Sequence, residues 1–151
     1  MHPSRFLRAF ITAFVLFLLL DAFWHGGLMA DFYNQRLISL NPLLAGAMLG
    51  LSPGILFVNA INAVALSYFI LTHIQHGRSL ADAAWIGALL GFTVVGTVNF
   101  LNNTFIPRWD IVLALVDTAW GTASGLVVAL AIAATCGEER RRGIFGWLRR
   151  S

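Results

Sequence analysis

The chain has 151 residues, of which 58% are hydrophobic and only 11% are charged. Soluble domains are typically about a quarter charged, so this composition excludes an ordinary soluble protein and indicates an integral membrane protein. The net charge of +3 reflects ten Arg against seven Asp and Glu, with no Lys. The Arg residues lie at predicted helix ends and in the C-terminal tail. That placement is typical of residues that set membrane topology, so we expect no nucleic-acid binding.

Four apolar segments are long enough to cross a bilayer, which takes about 20 helical residues. They are residues Ala9–Ala30, Gly54–Thr72, Ala83–Phe105 and Ile111–Cys136. The first is not expected to be a cleaved signal peptide, because cleavage after Ala30 would need a small residue where Leu28 stands. The sequence therefore predicts an all-α bundle of four transmembrane helices.

The connection between the first two spans, Asp31–Ser52, contains a further apolar piece, Leu43–Leu51. This piece is too short to cross a membrane, so we predict a short interfacial or re-entrant helix after Pro42. Pro107 and Gly137 are expected to end the third and fourth spans.

The distribution of Arg predicts the orientation. Eight Arg flank the side with the two termini and the second connection, whereas only Arg36 and Arg108 flank the other side. Positive residues accumulate in the cytoplasm, so we expect both termini to be cytoplasmic. Residues 1–137 would form the transmembrane domain, and residues 138–151 a basic cytoplasmic tail on anionic headgroups of the lipid bilayer.

Two carboxylic acids lie inside the otherwise apolar spans, and each opens an Asp-x-x-Trp pattern: Asp21 with Trp24 and Asp117 with Trp120. A charged side chain at the bilayer centre costs about 2.5–3.5 kcal/mol on insertion scales, so these residues are the strongest indication of function. No Arg or Lys falls within the spans near them, and we therefore expect at least one of the two carboxyl groups to be protonated at neutral pH.

Polar residues of the four spans fall at a similar depth, in the outer half of the predicted bundle. Helical rise is about 1.5 Å per residue, so Asp117 lies about 9 Å and Asp21 about 14 Å from the outer ends of their spans. Polar faces turn away from lipid, which predicts an outward-facing pocket. Its predicted ligand-binding residues are Asp21, Trp24, His25, Asn59, Asn62, Asn99, Asn103, Asp117 and Trp120. Close helix approach is predicted at Gly87, Gly91, Gly121 and Gly125.

Plainer interpretations of the polar residues stay open. Asn and protonated Asp also serve as hydrogen-bonding contacts between membrane helices. The Asp-x-x-x-His spacing of Asp21 and His25 is too weak a signature for a metal, and we predict no metal site. His73 and His76 favour an interfacial position over haem ligation. Tyr33 could rim the pocket, but it fits an outer aromatic belt equally well.

The motifs Leu20-Asp21-x-x-Trp24-x-Gly26, Asp31-Phe32-Tyr33, Gly87-x-x-x-Gly91 and Val116-Asp117-x-x-Trp120-Gly121-Thr122 occur in this order within residues 7–135. Together they resemble the bacterial membrane protein family catalogued as domain of unknown function 2177. The resemblance implies a four-helix, multi-pass protein of the bacterial inner (cytoplasmic) membrane without an established activity. Family members carry a Tyr-Asp-Leu-Thr-Asn-like segment at the end of the third helix, whereas residues 98–103 here contain no acid. Chemistry that needs a third carboxylate is therefore not expected.

Three functions are consistent with these patterns. The first is binding or transport of a small ligand or lipid, with the two Asp residues binding or relaying protons and the two Trp residues stacking on the ligand. The second is a structural subunit or assembly factor of a larger membrane complex, or a homo-oligomer. The third is a membrane-embedded enzyme that uses the Asp pair as acid and base, although no nucleophile or cofactor motif supports it. The sequence determines neither a ligand nor a cofactor.

Overall fold

The computed structural model describes residues 2–44, 52–77 and 79–148, with the side chains described as far as residue 137. It is 91% helical, and its described residues contain no strand. The helices are α1 (Pro3–Phe23), which runs on into a π-helical turn (Trp24–Leu28), α2 (Ala30–Leu40), a 3-10 turn (Pro42–Leu44), α3 (Pro53–Gln75), α4 (Leu80–Phe105) and α5 (Ile111–Leu148).

Four of these helices are long and apolar enough to cross a membrane, which confirms the predicted number of spans. The spanning segments are Pro3–Leu28, Pro53–Gln75, Leu80–Phe105 and Ile111–Gly137. The predicted interfacial helix over Leu43–Leu51 lies almost wholly outside the described residues. Gly137 ends the apolar part of α5 but not the helix, which continues to Leu148. A single Gly lowers helix propensity without terminating a helix.

Local sequence signals explain where the spanning helices begin and end. Ser52 caps α3, its hydroxyl accepting a 3.2 Å bond from the N–H of Ile55, and Pro53 takes the first helical position. Ser79 and Asp82 form a reciprocal capping box at the start of α4. Helix α4 ends at Phe105, two residues before Pro107, as predicted, because the residue before a proline disfavours helical geometry.

Helices α4 and α5 form the most closely packed pair of the bundle. A Cβ atom at Gly91 would collide with the carbonyl of Gly121, and one at Gly87 with the carbonyl of Gly125. The close approach predicted at these four glycines is therefore confirmed. In a membrane such contacts stabilise through van der Waals packing, because apolar side chains are already surrounded by apolar lipid.

The main apolar core lies between α1, α3 and α5. Fully buried members include Ala9, Ala13, Ile70, Val128 and Ile132. At this end of the bundle, Nη2 of Arg5 donates a 2.7 Å bond to the carbonyl of Cys136. The start of α1 therefore lies beside the end of the apolar part of α5. We call this the Arg5 end, and the opposite end, where α2 lies, the Tyr33 end.

Helix α2 caps the Tyr33 end and was not predicted from the sequence. Tyr33 and Leu37, one helical turn apart, are buried against Leu113 of α5. Arg36 forms an ion pair with Asp110, the residue before α5. Burial acts to raise the pKa of Asp110. The N–H groups of Val112 and Leu113 together with Arg36 outweigh this effect and hold the pKa below its ordinary value.

Candidate functional site

The carboxylate of Asp117 on α5 is hydrogen-bonded by groups from three other segments. Its Oδ1 accepts a 2.9 Å bond from the hydroxyl of Tyr33 and lies 3.2 Å from Nε2 of His25. Its Oδ2 accepts a 2.7 Å bond from Nδ2 of Asn99. The Asp117 side chain is 23% exposed. A partly buried carboxylate is costly unless it is hydrogen-bonded, and here both oxygens have partners.

Asp21 on α1 is held more loosely. Its Oδ2 accepts a 3.1 Å bond from Nδ2 of Asn59 on α3, and its Oδ1 a 3.3 Å bond from the indole of Trp120 on α5. The side chain of Asp21 keeps 29% exposure. This carboxyl group is therefore bound to the bundle by neutral donors and stays accessible from one side.

His25 joins the two carboxyl groups. Its Nδ1 lies 4.0 Å from Asp21, while its Nε2 lies 3.2 Å from Asp117. The ring sits in the π-helical turn, where the N–H of Met29 bonds the carbonyl of Trp24 at 2.8 Å, five residues back. Turns of this kind recur at functional sites. The structure thus brings the two predicted acids into one cluster, linked through a single imidazole.

Trp24 and Trp120 stack on each other instead of standing apart. Their rings are nearly parallel, with centroids 4.4 Å apart and planes 2° apart. The two rings therefore do not sandwich a ligand between them in this structure, and contact of either ring with a ligand stays a prediction. Trp24 also donates a 3.1 Å bond to the hydroxyl of Tyr33.

Tyr33 is a member of the cluster that was not among the predicted ligand-binding residues, although the sequence left a place at the pocket rim open beside one in an outer aromatic belt. Its side chain is fully buried and does not line the cavity. Burial raises the pKa of its hydroxyl above the ordinary value, and the neighbouring Asp117 raises it further, so the hydroxyl remains a donor. The Tyr33–Leu37 spacing on α2 was the available signal, because residues four apart share a helix face.

A cavity of about 720 Å³ adjoins the cluster, between α1, α3, α4 and α5. This volume is within the range of small-molecule sites, about 300–1,000 Å³. Most of its lining is apolar, including Leu66, Leu90 and Val95. Val58 of α3 and Val98 of α4 line it yet remain 54% and 53% exposed. The cavity therefore opens sideways between α3 and α4, two helices that make few contacts with each other.

The chain matches the family model described as "Predicted membrane protein (DUF2177)" over residues 6–134. It belongs to this family. The resemblance carried by the Asp-x-x-Trp motifs is thereby confirmed. No match is found among curated proteins or among solved structures. The family description names a membrane protein and no activity, so function must be argued from the site.

The nine predicted site residues take three different positions in this family member. Six line the cavity: Asp21, His25, Asn59, Asn62, Asp117 and Trp120. Trp24 and Asn99 do not line the cavity but contact residues that do. Trp24 stacks on Trp120, and Asn99 donates a hydrogen bond to Asp117. Asn103 is elsewhere, and its amide donates a 2.9 Å bond to the carbonyl of Trp109 in the α4–α5 connection. Whether any of them binds a ligand stays a prediction.

Other sequence candidates can also be placed. No group of three His, Cys, Asp or Glu side chains within residues 2–44, 52–77 and 79–137 is positioned to hold a metal ion. His73 is buried against other residues, and its Nε2 lies 3.8 Å from Asp82 at the Arg5 end. His76 is exposed, with Nδ1 2.7 Å from the carbonyl of Thr72.

Proposed function

We propose that this membrane protein binds an amphiphilic small molecule or lipid in the cavity beside Asp21 and Asp117. The observation that carries the proposal is the cavity itself, whose apolar walls meet a hydrogen-bonding cluster at the Tyr33 end. A cavity with a long apolar part and a few convergent polar groups fits a ligand with both kinds of surface.

The sideways opening supports a ligand that comes from the membrane. Val58 and Val98 stand on either side of it and would face acyl chains in a bilayer. An amphiphile could enter between α3 and α4 without leaving the hydrocarbon region, and its head would meet Asp21. With about 1.5 Å of rise per residue, Asp21 lies about 10 Å from the end of its span at Leu28.

The distribution of Arg supports one orientation of the protein in the membrane. Eight Arg on the side of the Arg5 end against two on the other side support cytoplasmic termini. The cavity and its polar cluster would then lie in the outer half of a bacterial inner membrane. The basic segment after residue 137 would lie against anionic headgroups of the inner leaflet.

A purely structural role for the polar residues accounts for less of the site. Hydrogen-bonding contacts between helices explain Asn99, which is 3% exposed and bound to Asp117. They do not explain an accessible carboxyl group beside a cavity of about 720 Å³. An enzymatic role has less support, since no Ser, Cys or Lys nucleophile is hydrogen-bonded to the cluster among the described residues.

Native mass spectrometry of the protein extracted in a mild nonionic detergent tests the proposal. Val94→Trp places a large ring on the cavity wall, whereas Leu89→Trp puts the same ring on an exposed face of α4 that does not line the cavity. We expect the wild type and Leu89→Trp to carry a bound amphiphile that Val94→Trp has lost, with similar melting temperatures. Equal retention by all three proteins, or none in the wild type, would refute cavity binding. A partner protein that cannot be removed would favour the role of complex subunit.

A further inference from the structure

The charge of the cavity indicates what kind of head its ligand carries. The titratable groups that line it are the carboxyl groups of Asp21 and Asp117 and the imidazole of His25. No Arg is among its described lining residues, and the chain has no Lys. We propose that the ligand is a cationic amphiphile, a hydrocarbon chain that ends in an ammonium group. This inference rests on the proposed function.

Two Arg residues of the bundle are committed to other contacts. Arg36 pairs with Asp110 and lies over the ring of Phe32. Arg5 bonds the carbonyl of Cys136 at the opposite end of the bundle. A phosphate or carboxylate head would therefore meet carboxyl groups without an Arg to offset the repulsion, and such a like-charge contact selects against anionic ligands.

Asp21 has the unused hydrogen-bonding capacity that an ammonium needs. A carboxylate offers about four acceptor positions. Asp117 uses both oxygens on three close partners, whereas the hydrogen bonds to Asp21 come from the neutral N–H groups of Asn59 and Trp120, the latter at 3.3 Å. Nδ1 of His25 lies farther away, at 4.0 Å. An ammonium has three N–H donors and no acceptor, so it suits the open side of Asp21.

A further lining group suits a cation. Asn62 lines the cavity and makes no hydrogen bond to the described residues, so its amide oxygen remains as a second acceptor. The apolar wall of Leu66, Leu90 and Val94 then accommodates the chain, which distinguishes this ligand from a free small amine.

Titration of four probes into the purified protein in a maltoside detergent tests the inference, with binding measured by native mass spectrometry at pH 7. The probes are dodecylammonium, dodecanol, dodecanoate and ethylammonium, which separate the charge from the chain. We expect dodecylammonium to bind at least roughly tenfold more tightly than dodecanol, the scale of one charge-assisted hydrogen bond. Dodecanoate and ethylammonium should bind more weakly than either.

Asp21→Asn is the decisive variant, because Asn keeps the size and one acceptor but removes the charge. It should lose the preference for dodecylammonium and keep the affinity for dodecanol. Asp31→Asn is the matched control, since Asp31 is an exposed acid on α2 that does not line the cavity. It should behave like the wild type.

The outcomes separate the two proposals. Binding of all three 12-carbon probes with equal affinity, abolished by Val94→Trp, would overturn the cationic head and leave amphiphile binding intact. A preference for dodecylammonium that survives in Asp21→Asn would also overturn the inference. No binding of any probe to the wild type would overturn both.

Discussion

The hydroxyl of Tyr33 donates a 2.9 Å hydrogen bond to Asp117, so a residue outside the four spans completes the polar cluster within them. The same hydroxyl accepts a bond from Trp24, and the ring meets His25 edge-on with centroids 4.6 Å apart. Helix α2 is therefore part of the site and not only a connection. Movement of α2 would remove a donor from Asp117 and the acceptor of Trp24 together.

We expect Tyr33→Phe to destabilise the protein by about 1–3 kcal/mol, the usual cost of leaving buried hydrogen-bonding groups unsatisfied. The ring still fills its space, so the loss comes from Asp117 and Trp24, which each lose a partner. Thermal unfolding in detergent, followed by circular dichroism, measures the change.

Tyr68→Phe is the control for that substitution. Tyr68 is 53% exposed on α3 and packs edge-on against Phe69, without a hydrogen bond from its hydroxyl to the described residues. Its loss should leave the melting temperature unchanged. If the two Phe variants melt alike, the hydroxyl of Tyr33 does not hold the cluster together.

Alkaline pH should destabilise the wild type more than Tyr33→Phe. Burial raises the pKa of the Tyr33 hydroxyl above its ordinary value of 10.0, so the unfolded state releases this proton at lower pH than the folded state. The contribution to stability is full below about pH 10 and is lost as the pH rises above it. Melting temperatures from about pH 8 to about pH 11 should fall more steeply for the wild type. Parallel curves would contradict a desolvated hydroxyl at Tyr33.

The spans were predictable because each is a continuous apolar run bounded by Pro or polar residues. The similar depth of Asp21 and Asp117 along their spans followed from helical rise alone. In the structure, His25 links the two residues in one cluster. The face-to-face contact of Trp24 and Trp120 could not be read from spacing, because it depends on how α1 and α5 rotate against each other.

Helix α2 illustrates the main limit of the sequence patterns. Its 11 residues are a short amphipathic segment between two much stronger apolar signals, so hydropathy does not distinguish it from a loop. The π-helical turn could not be predicted either. Hydrogen bonds between residues five apart, in place of four apart, leave no signal in the composition of the segment. Both features surround Tyr33 and His25, and the unpredicted parts therefore concentrate at the candidate site.

Asp110 should stabilise the Tyr33 end both as a helix cap and as an ion-pair partner. Asp110→Ala removes the acceptor of the N–H groups of Val112 and Leu113 and the charge that pairs with Arg36, and we expect a loss of about 1 kcal/mol or more. Asp110→Asn keeps a good cap and should cost less.

The two Asp110 variants should also differ from the wild type in acid. The pKa of Asp110 is lowered in the folded state, so its contribution is present above the unfolded pKa and is lost as the pH falls through the folded one. Both variants should therefore lose less stability than the wild type on acidification from about pH 5 to about pH 2. Equal acid sensitivity of all three would show that ionised Asp110 contributes nothing measurable, either through the N–H groups of Val112 and Leu113 or through Arg36.

Gly91→Ala should weaken the α4–α5 contact, because the added methyl group would collide with the backbone carbonyl of Gly121. A backbone carbonyl cannot move aside as a flexible side chain can, so we expect the two helices to separate. This should lower the free energy of unfolding by about 1–3 kcal/mol. Gly137→Ala is the matched control on α5, since nothing lies within 4 Å of its added Cβ. Ala favours a helix over Gly by about 1 kcal/mol, so this control should be neutral or stabilising. A stable Gly91→Ala protein would show that the two helices can separate without loss, and close packing at the glycines would then not hold the cavity's α4–α5 wall in place.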